Sequence, residues 1–375
     1  MLHRLSTLLL TLLLPCLALF SRDSLSHEAW SLRDKIGQMI MIGFPGKTVS
    51  ADSPVVKAIQ AGQVGGVILF DYHFQTKTFD RNIESPAQLK KLTTDLQKQA
   101  AIPLLIGIDY EGGKVNRLKA SYGFPDISSA AAVAHAGDAA AMRQAQQMAD
   151  TLRAVGVNLD FAPVVDVNIN PDNPVIGKLE RSYSSDPREV SHFAGILSRT
   201  FHHANILCAY KHFPGHGSAA NDSHLGFVDV THTWQKQELD PYRILFSLQD
   251  SCSLVMIAHV VHHGLDENNY PASLSRNIIT GLLRQQLHFK GVVITDDLQM
   301  KAITSQYGVT DAVRLAVNAG VDILLFGNQL VPEPQDPADI VDLIYKDVQS
   351  GRIPRERIEA SWRRIMQLKR NLKAI

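Results

Sequence analysis

The chain has no surplus of charge. Its 37 basic and 37 acidic residues leave a formal net charge of zero, and without a basic excess nothing argues for nucleic acid as a partner. Cysteine is scarce, with three in 375 residues. No spacing among them matches a zinc motif, and Cys208 and Cys252, each in or beside an apolar run, read as two buried thiols rather than a disulfide. There is no low-complexity tract and no solenoid-type repeat, which excludes a repeat array. No Pro-, Gly- or Ser-rich linker divides the chain, so residues 25–375 are expected to form one domain.

Charge is also missing from the run Leu5–Phe20, which follows His3 and Arg4. A short basic region before a leucine-rich core is the pattern of a secretory signal, and the run is short for a membrane span. Residues 1–24 are therefore set aside as a signal peptide or N-terminal anchor. No clean small-x-small site marks a cut near Ser21, and Cys16 after Pro15 is a poor match to a lipoprotein cleavage site. The expected location is exported, periplasmic or secreted, with membrane association only through an uncleaved leader.

What is present is an ordinary globular composition, 45% hydrophobic and 20% charged, long enough for one large barrel. Apolar or β-branched runs occur at Gln38–Phe44, Val64–Phe70, Leu104–Asp109, Leu159–Val167, Ile206–Tyr210, Leu254–Val260, Gly291–Thr295 and Val321–Phe326. Between them lie stretches with helical spacing: Pro86–Ala100, Asp138–Val155, Asp186–His203, Arg276–Leu287 and Thr310–Ala319. Near-continuous apolar strands separated by helices imply a parallel sheet covered on both faces. About eight such units predict an α/β fold of the (β/α)8 barrel type. Pro354–Leu372, with Ile358, Trp362, Ile365 and Leu368 on one face, predicts a final amphipathic helix on the barrel.

In such a barrel the chemistry sits at the C-terminal ends of the strands. Polar groups collect there: Asp109 and Glu111 after the third strand, Asp166 after the fourth, Lys211 and His212 after the fifth, His259 after the sixth, Asp296 and Asp297 after the seventh. Singly, each reads as a helix cap or an ion pair; together they define a catalytic rim. The fifth strand opens into Lys211-His212-Phe213-Pro214-Gly215-His216-Gly217, followed by Asp222-Ser223-His224. In an extended loop residues two apart share a side, so Asp222 is placed to hold one nitrogen of His224 and leave the other for proton transfer. Adjacent Asp296 and Asp297 cannot both face inward, because side chains alternate along a strand. One would face the mouth while the other turned away to cap the next helix. A mouth carboxylate opposite a His–Asp pair fits covalent catalysis with a separate acid/base. His212, His216, Asp222 and His224 are also ligand-type side chains, but their spacing fits no standard short metal motif, and no metal or other cofactor is expected.

The sequence resembles the bacterial family 3 glycoside hydrolases, in their single-domain β-N-acetylglucosaminidase (β-hexosaminidase) branch. The residues that carry the resemblance are the stretch Ile108–Arg117, the stretch Asp160–Val167, Asn173–Gly177 with Arg181-Ser182-Tyr183, the K-H-F-P-G-H-G and D-S-H elements, and Thr295-Asp296-Asp297-Leu298. It runs from about Leu32 to Leu372. It implies Asp296 as nucleophile, His224 as general acid/base and Asp222 as its partner. Asp109, Arg117, Arg181, Lys211 and His212 match positions that bind the sugar. The implied activity is retaining, exo-acting release of terminal β-linked N-acetylglucosamine from glycans such as peptidoglycan fragments.

Three features depart from the family pattern. A short G-E-R-S is replaced by Gly177-Lys178-Leu179-Glu180-Arg181-Ser182, Lys114 stands where Arg is common, and wall-recycling members are typically cytoplasmic whereas this chain carries an export-type leader. The alternatives are a phosphorylase, in which phosphate replaces water, another family 3 β-glycosidase, and a non-catalytic carbohydrate-binding barrel, which would have to lack a nucleophile or acid/base that this sequence retains.

Overall fold

A computed structural model describes residues 30–370 and Leu372. The leader and its cleavage lie outside the described residues. From Leu32 onward the chain is a (β/α)8 barrel. Its strands are β1 (Ile40–Gly43), β2 (Gly66–Leu69), β3 (Leu105–Ile108), β4 (Leu159–Asp160), β5 (Leu207–Phe213), β6 (Leu254–Ile257), β7 (Val292–Thr295) and β8 (Leu324–Phe326). The hydrogen-bonded order follows the chain from β1 to β7, with β8 beside β1, and every pairing is parallel. Closure is completed between β7 and β8, where Ile323 N donates to Val293 O at 3.0 Å and Thr295 N to Ile323 O at 3.1 Å.

Three of the helices begin where the sequence supplies an acceptor followed by proline. Ser85 accepts from Gln88 N ahead of helix Pro86–Gln97, Asp186 from Arg188 N ahead of Pro187–His203, and Asp336 from Ala338 N ahead of Pro337–Gln349. Proline at the first helical position gives up an N–H that would have had no partner, while the cap satisfies another. The closing helix Arg355–Arg370 buries Ile358, Trp362, Ile365 and Leu368 as its spacing requires. The expected helix Arg276–Leu287 forms as a π-helix over Asn277–Gln286, with Leu287 N reaching back five residues to Leu282 O.

Three expectations need correction. The fourth strand was expected to reach Val167 but stops at Asp160. Ala209 N of β5 still donates to Ala162 O at 3.2 Å, but Pro163 has no N–H for the ladder, and beyond it pairing with β5 resumes through Val165 N to Lys211 O at 2.8 Å. The fifth was expected to end at Tyr210, with Lys211 and His212 beyond it, but continues to Phe213 because Phe213 pairs with Ile257 of β6. Finally, Cys208 and Cys252 are not free thiols but form a disulfide, with their Cα atoms 5.0 Å apart. Cys208 lies in β5 and Cys252 immediately precedes β6, so the pairing of these neighbouring strands brings the two sulfurs together.

Candidate active site

The C-terminal ends of the strands surround a cavity of about 310 Å³. Asp109, Arg117, Arg181, Lys211, His212, Asp222, His224 and Asp296 all line it. The residues singled out from the sequence are thus brought to one place.

The bend in β5 accounts for two of them. Tyr210 pairs with Val255 and Phe213 with Ile257, so two residues, Lys211 and His212, stand opposite the single Met256. This is a β-bulge, which disrupts the strict alternation of a strand and re-aims side chains. Neighbouring residues therefore serve the same cavity. Lys211 Nζ donates to Asp109 Oδ1 at 2.8 Å and to Glu111 Oε1 at 2.7 Å. His212 Nδ1 meets Asp166 Oδ2 at 2.7 Å, and its Nε2 is 3.4 Å from Arg181 Nη2.

Arg181 reaches the site despite the longer segment that precedes it. Lys178 N to Asn173 O (3.0 Å), Glu180 N to Gly177 O (2.9 Å) and Arg181 N to Ile176 O (3.1 Å) fold the extra residues into a compact turn. The guanidinium then engages Glu111 at 2.7 Å through both Nε and Nη2, a bidentate pairing. Burial opposes the Glu111 charge, but Arg181 and Lys211 outweigh it and hold its carboxyl at about 2. Asp109 lies below its ordinary value for the same reason, with Lys211 and Arg117 offsetting burial. The floor is thus a set of fixed charges that do not titrate near neutral pH, and it supplies directional donors and acceptors.

The reactive groups behave differently. Asp222 Oδ1 accepts from the backbone N of His224 at 2.8 Å and meets its Nδ1 at 2.8 Å. Nδ1 is thereby committed, and Nε2 makes no hydrogen bond among the described residues. Burial works against the imidazolium, but the Asp222 hydrogen bond and the Asp296 charge outweigh it, so His224 is raised above its ordinary value. The side chain remains about half exposed. Asp296 is the cavity-facing member of the carboxylate pair, and its Oδ1 accepts from Asp297 N at 2.8 Å. Burial pushes its carboxyl up, while the facing His259, His212 and His224 and that amide bring it below the ordinary range.

Asp297 was expected to cap the next helix. It instead accepts from Gln299 N and Gly327 N, each at 3.0 Å, and so ties the end of β7 to the end of β8. Burial raises it to about 6. His259 is committed to structure, with Nδ1 at 2.7 Å from Ser273 Oγ and Nε2 at 2.9 Å from the Asp297 carbonyl.

Two residues of the rim have partners that the sequence does not reveal. Glu111, which joins Arg181 to Lys211, is two positions from Asp109 in an extended segment, so the spacing argument that pairs Asp222 with His224 puts it on the same side as Asp109. Asp166 was noted as a strand-end group, but not as the partner of His212 and, through Oδ1, of the His216 backbone N at 2.8 Å. The alternative metal set does not assemble: among the described residues no three His, Cys, Asp or Glu side chains are grouped to hold an ion.

The barrel mouth thus sets an ionised carboxylate and a carboxylate-oriented imidazole in one cavity, above a floor of fixed charges. The chain belongs to glycosyl hydrolase family 3: residues 31–368 match the model of the family's N-terminal domain. Among curated proteins it is similar to beta-hexosaminidase A of Pseudoalteromonas piscicida, 34% identical over 336 residues, which are 82% of this chain and 54% of that protein. It is 36% identical over 295 residues to the beta-hexosaminidase of Xylella fastidiosa strain M23, covering 76% of this chain and 82% of that one. Among solved structures, a family 3 beta-N-acetylglucosaminidase from Paenibacillus sp. FPU-7 superposes with a TM-score of 0.82 at 39% identity, over 92% of this chain and 63% of that one. A beta-N-acetylhexosaminidase from Beutenbergia cavernae does so at 0.80 and 28% identity, over 91% and 98%. The chain therefore spans about half the length of the Pseudoalteromonas protein.

Proposed function

We propose that this protein is a retaining exo-β-N-acetylglucosaminidase. The observation that carries the reading is the pairing, in one cavity, of Asp296, held ionised, with His224, whose Nδ1 is committed to Asp222. In the first step an Asp296 carboxylate oxygen attacks the anomeric carbon. The glycosidic C–O bond breaks, and the His224 imidazolium gives its Nε2 proton to the departing oxygen. In the second, His224, now neutral, takes a proton from water as that water displaces Asp296, which returns the sugar with its configuration retained. Asp222 orients the ring and stabilises its charged form. The fixed pairs Lys211–Asp109 and Arg181–Glu111, with His212 and Arg117, hold the sugar. The names of the similar hexosaminidases support N-acetylglucosamine as that sugar.

The test is an assay of the purified protein on aryl β-N-acetylglucosaminide and aryl β-glucoside, with and without phosphate and chelator. Hydrolysis of the first, without need of phosphate or metal, is expected. Proton NMR should show the β-anomer first; an initial α-anomer would reject the retaining mechanism.

The natural substrates proposed are cell-wall fragments met outside the cytosol. The basic-then-apolar start at His3 to Phe20 supports export, as does the Cys208–Cys252 disulfide, since such bonds persist in oxidising compartments. Recovery of the protein wholly in the cytosolic fraction, with its first 20 residues intact, would refute export.

A further inference from the structure

We propose that the hairpin leaving β2 is a glycan-binding platform for the sugars of an N-acetylglucosamine oligosaccharide that lie outside the cavity; the inference rests on the glycosidase reading above. At about 310 Å³ the cavity stands at the small end of ligand sites, which run from roughly 300 to 1,000 Å³. A longer oligosaccharide would extend from it over the rim.

Phe70 directly follows β2 and lines the cavity. The chain then turns back on itself, with His73 N donating to Thr78 O at 2.7 Å and Thr78 N to His73 O at 3.3 Å. The hairpin carries three aromatic rings. Tyr72 lies 4.9 Å from Phe79 and 6.4 Å from Phe74, centroid to centroid. Phe74 is 51% and Phe79 56% exposed, although the hairpin beneath them is firmly anchored. Buried Asp71 accepts from Lys119 Nζ at 2.5 Å and Tyr122 OH at 3.2 Å. Arg81 Nη2 donates to Gly327 O at 3.2 Å and Asn328 O at 2.7 Å, and the Gln75 side-chain amide donates to Val331 O.

These anchors make the patch continuous with the cavity on two sides. Arg117, a cavity residue, sits 5.7 Å over Phe70, and Lys119, two residues on, sits 3.8 Å over Phe79. Gln329 and Leu330, just before Val331, line the cavity too. Aromatic side chains thus lie both at the cavity, in Phe70, and on the exposed hairpin beside it, in Phe74 and Phe79, with Lys119 over one face of Phe79. Exposed rings on a support that is itself tied to the cavity wall are placed to extend the cavity's binding surface. A pyranose suits it, since the sugar's C–H face is apolar and weakly positive while the ring face is negative.

The experiment compares Phe74→Ala, Phe79→Ala and Phe79→Tyr in the full chain. Turnover is read on the β-1,4-linked N-acetylglucosamine tetramer and on the aryl N-acetylglucosaminide. The ratio of kcat/KM for tetramer over aryl substrate should fall about fivefold to tenfold in each alanine variant, in line with the worth of one ring contact. Phe79→Tyr, which keeps the ring, should restore it. Equal loss on both substrates, or no loss on the tetramer, would overturn the platform. Calorimetry in an Asp296→Ala background reads tetramer binding apart from turnover: the tetramer should weaken more than free N-acetylglucosamine, and equal weakening would again overturn it. A wild-type protein inert towards the aryl substrate would instead sink the glycosidase reading.

Discussion

The two ends of the barrel use the same chemistry to opposite ends. At the base, Asp322 is fully buried just before β8 and saturated. Its Oδ2 accepts from Arg284 and from Val293 N at 3.0 Å, and its Oδ1 from Arg357 and Ser361 at 2.7 Å each and from Arg364 at 3.0 Å. At the mouth, Asp296 has one oxygen engaged by Asp297 N, and its other makes no hydrogen bond among the described residues. Both carboxyls lie below their ordinary value, with charges or imidazoles offsetting burial. A shifted carboxylate is therefore no mark of function by itself. The distinction is between a charge whose partners close around it and one whose partners leave a face open to a cavity.

Asp296→Ala should show the difference most strongly. Turnover of every substrate should drop on the order of 10⁴-fold or more, because no glycosyl-enzyme can form, while thermal stability holds. Steady-state kinetics beside a melting curve reads both, and an unfolded variant would break the contrast. Asp322→Ala should do the reverse. Removing the centre of a buried network leaves uncompensated charges and costs about 3–5 kcal/mol in urea unfolding. The pH dependence follows the same sign: Asp322 has a depressed folded value, so its contribution is complete above the unfolded carboxyl value near 4 and is lost as pH falls below it.

His224→Ala sharpens the comparison within the mouth. It should slow turnover of glycans with poor leaving groups by about 10²–10³-fold. Activated aryl substrates should still load Asp296, so a burst should appear, and azide should speed the second step. Equal loss on both substrate types without azide rescue would withdraw the acid/base role, leaving His212 and His216 as candidates. The smallest effect is expected of Asp222→Asn. The Asp222 hydrogen bond helps hold His224 above its ordinary value. Its weakening should move the basic limb of the kcat/KM profile to lower pH, with a loss of a few fold at neutral pH. A profile that does not move would show that Asp222 does not act through the imidazole.

The barrel was legible because its strands are apolar throughout, and each of the eight runs became a strand. The limits of β4 and β5 were not legible, since they depend on what Pro163 interrupts and what Ile257 pairs with across the sheet. The candidate site was legible where partners are close in sequence, as with Asp222 and His224. It was less so where they converge from distant strands, as Asp166 does on His212 and Glu111 on Arg181. The disulfide escaped for the same reason, since its cysteines are 44 positions apart and only the pairing of β5 with β6 makes them neighbours.

That disulfide also changes what the chain is, seen as a covalent object. Asp222 and His224 lie between its two cysteines, so the segment bearing them is a closed ring rather than a strand with two free ends. A protease that cuts beside the exposed Leu225 or Phe227 would open the ring without parting the molecule. The amino-terminal piece, with Asp109, Arg117 and Arg181, would remain bonded to the carboxyl-terminal piece that carries Asp296. Only cleavage followed by reduction would leave the two pieces without a covalent link.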